Sequence, residues 1–363
     1  MHHLFSALAE AGTVVRVVAL DRPGALEEAP YTVRLAGRGP RGWAAVAHHA
    51  LGGLPPSLAR FRSTRLLRAV DDEVRSFGPD LVHLEQLQLA WLISHLPRRL
   101  PVVLREQNVE SRILERLAAA SRGPTRWLTR REARRVGAAE ARACRAAGLV
   151  AAISEEDAEA LRSLAPDARV EVVPPAWPAL PGPHGARLDG DPPLICAGSF
   201  DWLPNRDGAR WLLDEVWPLL RVELPRGVLH LAGPGSRSLA GAGAAGVVRH
   251  GTVDIALFDP RAIAVVPVRA GSGVRVRLLE AWSLGLPAIT TAVGGEGLVI
   301  RDGDGALLAD DPASFAAALT RLAADVSLRG ALVARGRQRL EAHEPSRVAA
   351  RILDLYRSVL LPV

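Results

Sequence analysis

The chain has 363 residues, 48% hydrophobic and 23% charged, with a formal net charge of +6 and arginine as its only basic residue besides histidine. No apolar run approaches the roughly 18 residues of a membrane span, and two cysteines are too few for a disulfide framework or a thiolate metal cage. Disordered, collagenous and disulfide-stapled classes are excluded, and a soluble, cytoplasmic, two-domain protein is expected.

The chain opens on a helical pattern, Leu4–Ala11, which feeds the strand Val14–Leu20. Helix Ser63–Ser76, strands Leu81–Leu84 and Val102–Leu104, helix Ile113–Ala120 and strand Leu149–Ile153 follow. Short apolar runs alternating with helical patterns mark βαβ units and parallel sheets. Residues 98–145 carry 13 arginines against 5 acids, with Arg122, Arg126, Arg130, Arg134 and Arg145 at helical spacing around Trp127 and Leu128. That face suits an anionic lipid surface or plain solvent. No nucleic-acid module accompanies it, so no nucleic-acid partner is expected.

Residues 174–193 hold seven prolines and read as a linker. Beyond it the alternation restarts: strand Leu194–Ala197, helix Asn205–Leu220 with Asn205 as cap, strands Val228–Ala232 and Ala262–Val268, helix Val274–Leu284 and strand Ala288–Thr291. A last helix, Ser346–Leu361, offers Val348, Ile352, Leu355 and Val359 to a core. The predicted fold is α/β: two Rossmann-like doubly wound domains, 1–178 and 179–345, facing a central cleft at the carboxyl ends of their sheets, with 346–363 as a closing helix.

The strongest chemical signal is RAGSGVRVRLLE, Arg269–Glu280. A strand ends, a Gly–Ser–Gly loop follows, and a helix starts near Val274, so backbone N–H groups and the positive end of a helix dipole meet at one spot. Gly271 and Gly273 allow close backbone approach, and the Ser272 hydroxyl is a further donor. Arg275 and Arg277 supply charges suited to phosphate oxygens, and Glu280, one turn beyond, can accept from sugar hydroxyls. GGEGL, Gly294–Leu298, and GSFDWLPN, Gly198–Asn205, also follow strands. Through Glu296 and Gly297, and through Gly198, Ser199, Asp201 and Asn205, they are read as lining the same pocket, GGEGL being otherwise a plain turn; Trp202 is either a stacking surface or core. The G-x-G-x-x-G of Gly241–Gly246 precedes a strand-like segment instead of opening a helix, so it is no dinucleotide fingerprint. The acid pairs Asp189/Asp191 and Asp302/Asp304 lie in linker and turn, and no metal site is expected.

The stretches around REQNVES (residues 94–115), AISEED (152–157), GSFDWLPNRDG, GSGVRVRLLEAWSLGLPAITTAVGGEGL and HEPSRVAARILDLYRSVL together resemble the family-4-type retaining glycosyltransferases, group 1 enzymes of the GT-B fold. The resemblance implies a nucleotide-diphospho-sugar donor held mainly by the second domain, an acceptor on the first, a last helix crossing back to the first, and neither cofactor nor metal. Arg277 stands where the family has a lysine on the diphosphate, Glu280 at a glutamate that contacts the ribose, and Gly294–Gly297 near the donor sugar. Gln107, Asn108 and Glu110 fall on the acceptor side. Ser272 replaces the first glutamate of the family's pair, and GSFDWLPN lacks the usual basic residues, leaving Arg206 and Arg210 as substitutes. Gln107 replaces a histidine, and an amide can hydrogen-bond but cannot act as a base. The opening helix corresponds to the family's first helix, so a first strand and its glycine-rich loop are expected to be missing.

The expected activity is metal-independent transfer of a hexose-type sugar to a hydroxyl acceptor (glycan, lipid-linked or small aglycone) with retention of configuration. Arg275, Arg277 and Glu280 form the expected catalytic set. The alternatives are a catalytically impaired sugar-nucleotide-binding subunit and a nucleotide-sugar epimerase, for which the sequence offers no acid–histidine set to abstract a proton. The basic 98–145 stretch is expected either to make peripheral contact at the inner face of a membrane or to remain a solvated face.

Overall fold

The computed structural model describes residues 1–20, 29–36, 54–182, 185, 187–239, 245–252 and 259–361. Residues 241–244 of the rejected glycine motif lie outside them. The chain divides into two units, Met1–Ala176 with Pro345–Val363, and Trp177–Glu344.

The first unit begins with α1 (His2–Glu10), β1 (Arg16–Ala19) and β2 (Thr32–Leu35), the two strands pairing in parallel. Next come α2 (Thr64–Phe77), β3 (Val82–Glu85), a 3₁₀ segment (Leu87–His95), β4 (Val102–Glu106), α3 (Glu110–Ala120) and α4 (Gly123–Ala146). β5 (Leu149–Ala152), α5 (Glu155–Leu164) and β6 (Val170–Val172) complete a parallel sheet in the order β3-β4-β5-β6. Ser63 and Ser154 cap α2 and α5, each accepting a backbone N–H from the first turn.

Strand residues alternate between faces, so β4 and β5 feed two cores. Val103, Leu149 and Ala151 pack with Leu4, Ala7 and Leu8 of α1 and with Val348, Ile352 and Leu355 of the C-terminal helix Pro345–Leu360. Leu104 joins Leu66, Leu84 and Val136 on the other face. The last helix therefore belongs to the first unit, and Val359 is only partly buried there.

The second unit runs β7 (Pro193–Ala197), α6 (Leu203–Trp211), a wider π-helical turn, α7 (Trp217–Glu223), β8 (Val228–Ala232), β9 (Val247–Gly251) and β10 (Ile263–Val266). Then come α8 (Val276–Leu284), β11 (Ala288–Thr290), α9 (Ala292–Gly295), β12 (Leu307–Leu308), α10 (Pro312–Ala324) and α11 (Val326–Leu340). All neighbours in its sheet are parallel, in the order β12-β11-β10-β7-β8-β9. Trp211 and Phe315 meet edge-on at 5.1 Å in the core.

Two local expectations are corrected. α6 starts at Leu203, not Asn205, because Pro204, with its preset φ, sits in the first turn; the Asn205 side chain instead donates to the Ser199 carbonyl at 3.0 Å. α8 starts at Val276, two residues later than expected, with Arg275 at the N-cap and Gly273 at φ +77° in the loop before it.

Candidate functional site

The strand order of the second unit reverses between β7 and β10: the chain runs outward from β7 through β8 to β9, then returns to β10 on the other side. Open parallel sheets bind ligands outside the carboxyl ends of the strands at such a switch point. β7 ends in Gly198–Ser199 and β10 leads to Gly271–Val274, while β11, next to β10, leads to Gly294–Gly297. Three stretches far apart in sequence thus end on adjacent strands.

They touch through positions that tolerate no side chain. A Cβ on Gly297 would stand 2.5 Å from the Gly273 carbonyl oxygen and 2.8 Å from the Val274 nitrogen, so the two glycine loops lie backbone to backbone. A Cβ on Gly198 would come within 2.9 Å of Asn205 Nδ2 and 4.0 Å of Arg277 Nε. The Thr291 hydroxyl accepts from the Gly294 N–H at 2.9 Å and donates to the Val268 carbonyl, tying the third loop to the exit of β10.

Arg277 lies in the first turn of α8. Its Nη1 donates to Glu280 Oε2 at 2.5 Å, and its side chain keeps 37% exposure while that of Glu280 keeps 6%. Burial pushes the Glu280 carboxyl up, and Arg277 pulls part of that shift back. The same guanidinium opposes burial at Cys196, near the end of β7, whose thiol is pushed up to about 12. Arg277 is thus anchored at one end and open at the other, over the carboxyl end of β7. Arg275 differs: it is buried, its Nη2 donates to the Ser272 carbonyl, and its guanidinium lies where a Cβ on Gly271 would fall, 2.8 Å from Nη1. Its charge stiffens the Gly–Ser–Gly loop from within, so Arg277 is the arginine of this pair that reaches solvent.

The remaining expected residues of this unit are also placed. Ser272 is buried, Glu296 and Gly297 are half-buried, and Trp202 keeps 38% exposure, too much for a core residue. Arg206 donates to the Phe200 carbonyl at 2.9 Å, and Arg210 is exposed farther along α6. Asp304 is held by Arg339 at 2.6 Å, and Asp302 accepts the Leu308 N–H. Among the described residues no three His, Cys, Asp or Glu side chains are grouped to hold a metal. Gly208 and Gly233 were missed: a Cβ on either would stand 2.0 Å from the carbonyl oxygen of Pro267 or of Gly198. An isolated glycine inside the α6 pattern was the available signal for the first.

In the first unit Gln107, Asn108 and Glu110 follow β4. Gln107 donates through Nε2 to Glu85 Oε2 at 2.8 Å, across from the end of β3. Glu85 also pairs with the buried Arg105 at 3.3 Å and faces His83 at 3.2 Å, and the His83 ring bonds the Tyr356 hydroxyl of the C-terminal helix. Burial works to raise the Glu85 carboxyl, but Arg105 and His83 overcome it and hold it well below the usual range. Gln88 donates to Glu110 at 3.0 Å, and Gln86 takes the uncommon φ of +79° at the turn above β3. Sequence reading passed over this network, although charged residues ending apolar runs marked it.

Two parallel α/β units, the second with glycine loops converging on a helix N-terminus at its switch point, define the GT-B class of fold. The chain belongs to the group 1, family 4-type glycosyltransferases: the family model "Glycosyltransferase Family 4" matches residues 1–177 and "Glycosyl transferases group 1" matches 191–325. Among solved structures it is similar to sucrose-phosphate synthase from Thermosynechococcus elongatus, at 20% identity and TM-score 0.69 over 98% of this chain and 91% of that one. It is also similar to WaaG, a glycosyltransferase involved in lipopolysaccharide biosynthesis, at 16% and 0.66 over 98% and 94%. HepE from Anabaena in complex with UDP-glucose matches at 14% and 0.64 over 94% and 99%. No curated protein matches the chain in sequence.

Proposed function

We propose that the chain moves a hexose-type sugar from a nucleotide-diphospho-sugar to a hydroxyl acceptor, with retention of configuration and without a metal ion. The observation that carries this reading is the convergence of Gly198, Gly273, Gly297 and Arg277 at the start of α8. Backbone N–H groups of a helix start and a half-exposed guanidinium match a diphosphate, whose departure is the step that most needs charge stabilisation. Arg277 and the helix terminus do in this reading what a divalent cation does elsewhere. Glu280 holds Arg277 in place and, at its free edge, accepts from ribose hydroxyls. Gln107, Asn108 and Glu110 bind the acceptor; with an amide at 107, that position orients a hydroxyl and takes no proton from it. The acceptor is a glycan, a lipid-linked sugar or a small aglycone, and one structural neighbour is a glycosyltransferase involved in lipopolysaccharide biosynthesis.

A thermal-shift panel of uridine, guanosine, adenosine and thymidine diphosphates tests the donor half. One base is expected to stabilise the chain by about 2.7 kcal/mol at a hundredfold excess over its dissociation constant. No stabilisation by any of the four sinks the donor site. Donor turnover then separates a working transferase from a binding subunit: release of the diphosphate from the matching nucleotide-glucose is expected, and binding without release favours the subunit.

α4 supports the lipid side of the proposal. Trp127 and Leu128 keep 62% and 57% exposure, flanked by the exposed Arg122, Arg126, Arg130, Arg131 and Arg134, with Arg131 over the indole at 5.8 Å. Aromatic and aliphatic tips among arginines suit the headgroup layer of an anionic leaflet, the inner face of a membrane. The chain should float with vesicles containing phosphatidylglycerol and not with pure phosphatidylcholine. Trp127→Ala with Arg130→Glu should abolish flotation; equal recovery with both lipids removes this contact.

A further inference from the structure

The acceptor-side segment Gln107–Glu110 lies between the end of β4 and the start of α3. A helix start carries N–H groups with no partner inside the helix, and a side chain at the N-cap usually takes one. Val109 holds that position in α3 and makes no cap bond. The missing acceptor comes from another helix. Glu140, in the second half of α4 and 0% exposed, accepts the Glu110 N–H at 2.8 Å, the Ser111 N–H at 3.4 Å and the Ser111 hydroxyl at 2.5 Å. Gly137, one turn earlier, faces the same turn, where a Cβ would sit in ordinary contact with the Ser111 Cβ at 3.4 Å. A carboxylate at this place also meets the positive end of the α3 dipole.

We propose that Glu140 is a positioning residue for acceptor recognition: its carboxylate pins the first turn of α3 and thereby sets where Gln107, Asn108 and Glu110 stand. This rests on the acceptor-side reading of those three residues. The position is held from thirty residues away in sequence, by one side chain that touches no substrate.

The arrangement titrates. Burial pushes the Glu140 carboxyl up to about 7; the Ser111 hydroxyl and the two N–H groups pull it down, and the neighbouring Glu110 carboxylate adds to the rise. The groups facing it are Glu110 from α3 and Glu106 from the end of β4, whose own carboxyl is raised by burial and by Glu140. The 3₁₀ segment contributes the neutral Gln88, which binds Glu110, and α5 brings the apolar Leu164 against Gly137. Cys144, one turn on in α4, is a thiol that burial keeps protonated. A proton on Glu140 turns one oxygen from acceptor to donor, and at least one bond to α3 is lost. The hold therefore loosens as pH falls through neutrality.

Two readouts on wild type, Glu140→Gln and the milder Ser111→Ala test this. The first is amide exchange of the peptide spanning 107–120, corrected for intrinsic rates, at pH 6 and pH 8. The second is transfer from the nucleotide-glucose chosen by the diphosphate panel to methyl α-glucopyranoside as acceptor probe. Wild type should lose protection in this peptide, and gain acceptor KM roughly tenfold, between pH 8 and pH 6; about a tenfold change is what loss of one such hydrogen bond brings. Glu140→Gln should show the low-pH behaviour at both values, Ser111→Ala should fall between, and donor KM should stay fixed. Unchanged protection in Glu140→Gln overturns the proposal whatever the transfer assay gives. Protection lost while acceptor KM stays at the wild-type value, or moves in parallel with donor KM, overturns it too, because the role is then structural. Protection lost while wild type transfers nothing to the probe at either pH overturns the acceptor-side reading, and the proposal with it.

Discussion

Arg277→Ala will weaken nucleoside diphosphate binding about 10- to 100-fold, because a hydrogen bond to a charged partner contributes about 1.5–3 kcal/mol and each 1.4 kcal/mol is a factor of ten. The fold should survive, since the side chain keeps 37% exposure and fills no core. One consequence has to be separated from lost binding. Removing the guanidinium leaves the Glu280 carboxyl buried at 6% exposure without its cation, so that carboxyl is raised further. The double variant Arg277→Ala/Glu280→Gln removes this complication and should bind the diphosphate as poorly as the single one. Arg277→Lys keeps the charge but not the planar fork that reaches Glu280 and phosphate together, and should recover part of the affinity. Calorimetric titration with the diphosphate and with bare pyrophosphate reads all three variants. Equal affinity in wild type and Arg277→Ala would remove this residue from the phosphate site. An equal loss for pyrophosphate and nucleotide would locate the effect on the phosphates and not on the ribose.

The parts of this site that were legible in sequence are those written in local pattern. Continuous apolar runs such as Leu149–Ala152 and Leu194–Ala197 announce strands buried on both faces, and these are central strands of the two parallel sheets. The Gly–Ser–Gly loop before α8 was visible because a strand exit and a helix start bracket it. Its details were not. Whether Arg275 or Arg277 turns outward depends on a helix start two residues later than the pattern showed, which makes Arg275 the N-cap and folds it onto Ser272. The switch point was likewise hidden, because strand order is a property of pairing between segments some seventy residues apart, such as β7 and β10. Gly233 shows the same limit: its need for no side chain comes from the Gly198 carbonyl, a contact that no local periodicity encodes. Buried charge was the least legible. Arg105 and Glu106 lie just past the expected strand Val102–Leu104, yet they belong to β4 and point to its opposite sides, one to Glu85 and the carbonyl of Pro174, the other to the Leu87 N–H.

Between pH 5 and pH 8 the first unit will lose about 2 to 3 kcal/mol more stability than its Glu140→Gln variant. The Glu140 carboxyl stands at about 7 in the folded chain against 4.5 ordinarily, and each pKa unit corresponds to about 1.4 kcal/mol. The sign follows from proton counting. Between the two values the native state holds a proton that the unfolded chain has released, so stability is fully present below the ordinary value and declines as pH rises through about 7, then levels. Glu106, whose carboxyl is also raised well above the usual range by burial and by the Glu140 and Glu110 carboxylates, adds a decline of the same sign. Glu140→Gln should therefore keep a residual slope that Glu106→Gln/Glu140→Gln loses. Glu85 works the other way: against burial, Arg105 and His83 hold its carboxyl below the usual range, so its contribution is fully present across this window, adds no slope there and is lost only as pH falls below the ordinary carboxylate value. Urea unfolding at four pH values, followed through Trp91 and Trp127 of this unit, measures the difference. Parallel stability curves for wild type and Glu140→Gln would mean that Glu140 does not titrate in this range. The coupling between proton uptake and the first turn of α3 would then fail with it, because the carboxylate that costs stability when ionised is the same one that accepts the Glu110 and Ser111 N–H groups.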